Sequence, residues 1–331
     1  MICELAPAKV NLTLEILGKR ADGYHEITTI MQTIDICDIL TFWENEWIKI
    51  IPDYNNLPVK DSLFCCEKFN YLNDNLVYKA ASLLKKETGY KGGAVIQLNK
   101  NIPSSAGLGG GSSDAAATLK GLNRLWGLNL STEKLSRIGS KIGSDVPFFI
   151  HNGTCIAEGR GEIIKKIESP GQKWIGVILL PIEIIEKTKM LYSMITPENY
   201  TNGARTAEML KAISKTEKIK EKVLSLSGNK FFHNGKDSSG TIYLNTLKPW
   251  NIRQDFQDKI YNVFEQVYVC SFSRYRRWLD LLENASGERF HLAGSGPAVF
   301  CVTETEEEAK NAIFKTEKFT RFKKYITRTV P

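Results

Sequence analysis

The run from Pro103 to Asp114, PSSAGLGGGSSD, constrains this chain more than any other stretch. Gly107, Gly109, Gly110 and Gly111 tolerate positive φ, so successive N–H groups can turn inward on one cluster of oxygens, and Ser112 adds a hydroxyl. Ala94 to Leu98 reads as a strand before the run. Ala115 to Trp126 reads as a helix after it, with Ala115, Leu119, Leu122 and Trp126 on one face and Gly127 as its stop. A glycine loop feeding a helix N-terminus offers unpaired N–H groups and the positive end of a dipole to an anion. The expectation is a site for a nucleotide or another phosphate ester. A flexible glycine linker is the alternative, and the strand and helix that flank the run argue against it.

The run is not one of the commoner phosphate loops. No lysine follows the glycines, as a Walker loop requires, and the G-x-G-x-x-G spacing fails at Ser112. The His-Arg-Asp and Asp-Phe-Gly signatures of protein kinases are absent.

With 331 residues the chain has room for two domains, and its 42% hydrophobic and 24% charged residues are ordinary for a globular protein. The net charge of +7 suits an anionic substrate and is also compatible with nucleic acid. The basic residues are scattered. Lys215, Lys218, Lys220 and Lys222 alternate with Glu217 and Glu221 as on a solvated helix face, and Arg274, Arg276 and Arg277 form a second surface group. The 7 cysteines (Cys3, Cys37, Cys65, Cys66, Cys155, Cys270 and Cys301) include no Cys-x-x-Cys, which fits neither a disulfide framework nor a zinc site. A cytoplasmic protein is the expectation. Glu4 and Lys9 interrupt any signal-peptide pattern, and no apolar run reaches membrane-spanning length.

Residues 1–50 read as strands: Val10, Leu12, Leu14 and Ile16 alternate with polar partners, Gly18 to Gly23 turn the chain, and Ile27 to Ile30 and Thr33 to Ile36 resume it. Asn75 to Lys86 reads as a helix with Asp74 or Asn75 as cap, a stripe of Leu76, Ala80, Leu83 and Leu84, and Gly89 as stop. Ser131 caps a short helix carrying Leu135 and Ile138, which leads into Gly143 to Pro147, and Thr154 to Ile164 reads as a hairpin. Beyond it the pattern predicts a strand at Trp174–Pro181, helices at Thr206–Ser225, Ile252–Tyr268 and Arg274–Asn284, a turn at Ala293–Gly296, a strand at Ala298–Val302 and a helix from Glu304. The polar stretch Ser227–Gly240 reads as an exposed insertion. Strands and helices interleave without strict βαβ alternation, so the fold class is α+β in two layers.

Three segments together resemble the kinase superfamily of galactokinase, homoserine kinase, mevalonate kinase and phosphomevalonate kinase (GHMP kinases): Ala6–Leu12 (APAKVNL), the glycine-serine run, and Leu292–Phe300 (LAGSGPAVF). Gly18–Glu26 (GKRADGYHE) with Gln32–Asp35 (QTID) is similar to the branch that acts on a cytidine diphosphate derivative of methylerythritol. The resemblance runs from Ala6 to about Cys301 and is weakest between Ile182 and Ile252. It implies a two-domain GHMP kinase fold: residues 1–168 as a ribosomal-protein-like, ATP-binding N-terminal domain, and residues 169–331 as a ferredoxin-like, substrate-side domain. It implies ATP-dependent phosphorylation of the 2-hydroxyl of the methylerythritol unit, on the non-mevalonate route to isoprenoid precursors. A soluble monomer or weak homodimer with no nucleic-acid or membrane partner goes with that reading. The alternatives are a sibling kinase for mevalonate or homoserine, and a non-catalytic nucleic-acid binder suggested by the charge.

The same resemblance assigns roles. Asp145, in Gly-Ser-Asp-Val-Pro, matches the catalytic aspartate and Lys9 the catalytic lysine; taken alone they read as a turn residue and a surface residue. Pro103, Ser104, Ser105, Ala106, Gly107, Leu108, Gly109, Gly110, Gly111, Ser112 and Ser113 match the ATP phosphate loop, and Asn75, Leu76 and Lys100 the purine side. Asn11, Tyr24, His25, Thr188 and Tyr192 match substrate-side positions. Mg²⁺ is expected with ATP, with Ser112 or Ser113 as a candidate ligand and no carboxylate indicated. Departures from the family pattern are plain. The loop opens Pro-Ser-Ser-Ala where Pro-x-Gly-Ala or Pro-Met-Gly-Gly is usual. Ile182 to Glu186 replace small residues after the proline, Asn245–Lys248 (NTLK) stand where Asn-Asp-Leu-Glu is common, and neither the insertion nor the basic tail Arg321–Lys324 has a counterpart.

Overall fold

A computed structural model describes residues 1–53, 75–182, 186–215, 256–317 and 322–331. The Ser227–Gly240 insertion, Asn245–Lys248, Cys65, Cys66, Asp74, the lysines at 218, 220 and 222 with Glu217 and Glu221, residues 183–185 and Arg321 lie outside them.

Two long antiparallel strands organise the chain. β1 (Ile2–Lys19) pairs with β2 (His25–Asn45), with register shifts at Pro7/Ala8, Asn11/Thr13 and Ile16/Gly18. Every residue from Ala6 to Ile16 is buried, so β1 is covered on both faces. β3 (Lys49–Asp53) and β4 (Gly93–Asn99) extend the sheet beyond one end of β2, and β5 (Thr154–Gly159) and β6 (Ile163–Lys166) beyond the other. β7 (Trp174–Leu179) belongs to a second sheet. β8 (Tyr261–Asn262) runs parallel to β1 at Thr13 and Leu14 and completes a seven-stranded sheet. β9 (His291–Leu292), β10 (Ala298–Thr303) and β11 (Lys323–Arg328) complete the second sheet, in the order β11-β7-β10-β9.

On one face of the first sheet, Leu40, Phe42, Ile96 and Leu98 pack under α1 (Leu76–Thr88) and α2 (Gly110–Leu125) through Ala80, Leu84, Ala116 and Leu119. On the other face Ala8, Val10, Leu12 and Ile30 meet Ile175, Val177 and Phe300 of the second sheet. α2 approaches the sheet so closely that a Cβ on Gly121 would sit 2.4 Å from Cε2 of the buried Phe42. Gly121→Ala is therefore expected to cost about 1–3 kcal/mol of stability through overpacking, read as a lower midpoint in urea denaturation.

The expected caps are present. Asn75 Oδ1 accepts from Val77 N at 2.8 Å, Gly89 closes α1 at φ +69°, and the Ser131 hydroxyl caps α3 (Thr132–Ser140). Differences have local causes. The buried stripe of α1 is Val77, Ala80, Ala81 and Leu84, with Leu76 only partly covered. α2 starts at Gly110 rather than Ala115: Ser113 N already donates to Gly109 O at 2.9 Å, so the second half of the glycine run is the helix's first turn. α4 (Val146–His151) is too short to show a helical period. The Ile252–Tyr268 expectation merges strand β8 with the helix that follows at Val263. Lys323 and Lys324, read as tail, begin edge strand β11, where charged side chains suit an open sheet edge.

Candidate active site

β1 carries Lys9 into the interior. Its backbone N–H donates to Leu108 O at 3.0 Å, which binds the strand to the glycine loop. Its ammonium donates to Asn11 Oδ1 at 2.6 Å and lies 3.8 Å from Asp145 Oδ2. Asn11 is aimed by its own donation to Thr29 Oγ1 at 2.8 Å. Burial pushes the Lys9 pKa below the usual lysine value, and the Asp145 charge opposes that. Asp145 stands at the N-terminal end of α4 with its side chain 38% exposed, so the carboxylate is partly buried yet reachable.

The glycine loop and the Ala293–Gly296 turn come from opposite sheets and are fitted against each other. Gly107 has φ +84°, and a Cβ there would meet Ala293 O at 1.9 Å; one on Gly294 would meet Gly107 O at 2.8 Å and the Lys9 ammonium at 2.9 Å. Ala298 N donates to Ala106 O at 3.1 Å. Asn262 Nδ2 donates to Gly294 O at 2.7 Å, and the Tyr268 hydroxyl donates to Ser295 O at 2.8 Å. The N-terminus of α2, at Gly110 and Gly111, has no side-chain cap, which leaves its N–H groups to an anion. Pro103, Ala106 and Leu108 are buried beneath it, and Ser104 and Ser105 are exposed at the loop's entrance. Asn75 caps α1, and Leu76 Cδ1 lies 3.4 Å from where a Cβ on Gly111 would sit, so these two stand beside the loop helix.

Lys100 lies beneath the start of the loop helix, between two carboxylates. Its buried ammonium contacts Asp38 Oδ2 and lies 2.7 Å from Asp114 Oδ2, below the first turn of α2. Burial opposes the lysine charge, but Asp114 and Asp38 together hold its pKa above the usual value. With two carboxylates on one ammonium, burial pushes Asp114 up to about 7 against the pull of Lys100.

The structure brings His25 and Tyr192, distant in sequence, into contact. The His25 ring stacks on Tyr192, with centroids 5.3 Å apart and planes 24° from parallel, and meets Tyr200 edge-on at 6.4 Å. Burial, with Lys19, lowers the His25 pKa and keeps the ring neutral near pH 7. Burial and then the Asp145 charge raise the Tyr192 pKa, so this ring sits within the field of the Lys9–Asp145 pair and stays protonated. Thr188 Oγ1 lies 3.1 Å from Ser295 Oγ. Tyr24 is 55% exposed, with the Arg160 guanidinium 4.8 Å over its ring. The hydroxyl of Ser113 is buried with no partner among the described residues, whereas Ser112 is half-buried on the exposed side of the helix start. Sequence reasoning missed Asp38, Asp114, Tyr200 and Lys187. Asp114 follows the loop directly and was open to notice; a lone lysine beside Thr188 carries no such signal.

The chain is 34% identical to the 4-diphosphocytidyl-2-C-methyl-D-erythritol kinase of Caldicellulosiruptor saccharolyticus, over 95% of this chain and 92% of that one. It belongs to that kinase family. A kinase of the same name from Prochlorococcus marinus is 37% identical over 97% of this chain and 91% of its own length. Residues 75–153 match the family profile "GHMP kinases N terminal domain" and residues 251–319 match "GHMP kinases C terminal". A solved 4-(cytidine 5'-diphospho)-2C-methyl-D-erythritol kinase superposes with a TM-score of 0.72 at 25% identity, covering 100% of both chains. A mevalonate kinase from Methanococcus jannaschii shares the fold, with a TM-score of 0.62 at 15% identity over 100% of this chain and 98% of its own. The architecture is thus the two-domain α+β fold of the GHMP kinases. Among the described residues no helix is long and apolar enough to cross a membrane, and no cluster of His, Cys, Asp and Glu could hold a metal ion.

Proposed function

We propose that this chain transfers the γ-phosphoryl group of ATP to the 2-hydroxyl of 4-diphosphocytidyl-2-C-methyl-D-erythritol, giving the 2-phosphate, a step on the non-mevalonate route to isoprenoid precursors. The observation that carries the reading is the Lys9–Asp145 pair, 3.8 Å apart, between the glycine loop on one side and the His25–Tyr192 stack on the other. Phosphoryl transfer depends mainly on positioning and charge neutralisation. The loop amides and the α2 N-terminus hold the phosphates. Asp145 accepts the proton of the attacking hydroxyl, and Lys9 stabilises the charge that develops on that oxygen. The new O–P bond forms as the bond to ADP breaks. His25 and Tyr192 hold the cytosine ring by stacking and edge hydrogen bonds, with Asn11, Thr188 and Tyr24 completing the substrate side.

The donor set fits a magnesium ion carried chiefly by the phosphates, which needs few protein ligands. The Ser112 hydroxyl is the group able to reach it, since the Ser113 hydroxyl is buried. Such an ion would neutralise charge on the β- and γ-phosphates. We further propose a domain division near residue 168, a cytoplasmic location and a monomeric or weakly dimeric state.

ADP release measured with the cytidine alcohol, mevalonate and homoserine tests the assignment; turnover confined to mevalonate or homoserine would overturn it. His25→Ala is expected to raise KM for the cytidine alcohol about tenfold, as loss of one base-stacking partner does, with KM for ATP changed by less than about twofold.

A further inference from the structure

We propose that Lys187 is a phosphate-binding residue of the nucleotide site, tying the entrance of the glycine loop to the opposite turn while holding one donor for a phosphate oxygen. The inference rests on the kinase reading above. Lys187, the first residue of α5 (Lys187–Ser193), is 8% exposed. Its ammonium donates to Ser105 O at 2.6 Å and also to Gly296 O. These carbonyls belong to the two turns that face each other across the site. Ser105 is where the loop departs from the family's usual glycine, and it keeps a left-handed φ of +54° that a side chain seldom adopts. The hydrogen bond from Lys187 holds that strained entrance in place.

The charge balance points to a missing anion. Among the described residues no carboxylate lies within ion-pair distance of Lys187, and the charge it feels is that of Lys9, a second buried ammonium. Asp145, partly exposed, pairs with Lys9 and not with Lys187. Uncompensated charge away from water is costly, and burial with Lys9 pushes Lys187 down to about 8. An ammonium has three donors. Two go to carbonyls, and a nucleotide phosphate in the glycine loop supplies both an acceptor for the third and the absent negative charge. The charged group that Lys187 feels is Lys9 on β1, and the Tyr268 hydroxyl, which burial holds far above the neutral range, is spent on Ser295 O.

The test is calorimetric titration of the whole chain with ADP and, separately, with adenosine. Lys187→Met is expected to weaken ADP about 10- to 100-fold, the effect of losing a charge-assisted hydrogen bond, and to leave adenosine affinity unchanged. Lys187→Arg is expected to recover part of the ADP affinity. Equal ADP affinity in Lys187→Met and the parent chain overturns the proposal, and so does an equal loss for ADP and adenosine, the mark of a purely structural role. If Lys187→Met does not fold, the parent chain decides. ADP binding should take up a fraction of a proton near pH 8, where the diphosphate is already ionised, because the bound phosphate raises a pKa of about 8; no uptake near pH 8 overturns it. A parent chain that binds neither ligand overturns the kinase reading itself, a result distinct from either failure of the variant.

Discussion

Asp145→Asn lowers kcat by about a hundred- to ten-thousandfold, the range for loss of a positioned general base, with the fold intact. The amide has the shape of the carboxylate but cannot take the proton of an attacking hydroxyl. A second effect adds to the first. Asp145 is the charge that supports protonation of the buried Lys9, so the substitution also moves Lys9 toward its neutral form and weakens its hold on the developing alkoxide. In the proposed reading the loop amides and the His25–Tyr192 stack, not Asp145, carry substrate binding, so both KM values should move far less than kcat. Steady-state kinetics with a circular dichroism check decides the matter. A variant with the parent kcat would remove Asp145 from the chemistry.

Lys100→Met is expected to cost about 3–5 kcal/mol of folding stability, because one buried partner is removed and the other charges are left unanswered. Asp38 Oδ1 is already engaged by the backbone N–H groups of Asn101 and Ile102, the latter at 2.8 Å, and Asp38 Oδ2 depends on Lys100. Among the described residues Asp114 Oδ1 has no hydrogen-bond partner, so without the ammonium this carboxyl can persist in the interior only by binding a proton. The sign with pH follows. Asp114 is already pushed up to about 7, and a raised carboxyl favours the folded state at low pH and loses that advantage as pH rises through its folded pKa. Removing Lys100 raises it further, so the stability deficit of the variant should be smaller near pH 5 than near pH 8. Urea denaturation at the two pH values checks this, and an equal deficit at both would contradict it.

What was legible in the chain was local. The glycine run, the Asn75 and Ser131 caps and the hairpin at Thr154–Ile164 are written in adjacent residues, so chemistry a few positions apart fixes them. The burial of Lys9 was not legible, because β1 alternates like a strand with one wet face. The polar face carrying Lys9 is covered by the glycine loop and the Ala293–Gly296 turn, with Gly109 and Gly294 set against its side chain, and both arrive from far along the chain. The purine-side role of Lys100 comes from the family resemblance, and no local pattern shows its ion pair with Asp38, 62 residues away in sequence. Lys187 had no signature, since its meaning lies in carbonyls of Ser105 and Gly296 that no local pattern brings near. The Lys323–Arg328 strand was lost for a similar reason: its partner β7 is far back in the chain, and its lysines resemble a solvated end.

The facing of Gly107 against Ala293 and Gly294 bears on how the protein can vary and move. Each turn fills the room in which the other's side chain would grow, so neither position can drift alone to a larger residue. The contact leaves no slack for the two halves to slide at that point. A motion that parted the two turns would have to break this backbone-on-backbone contact and the Ala298 N–Ala106 O hydrogen bond together.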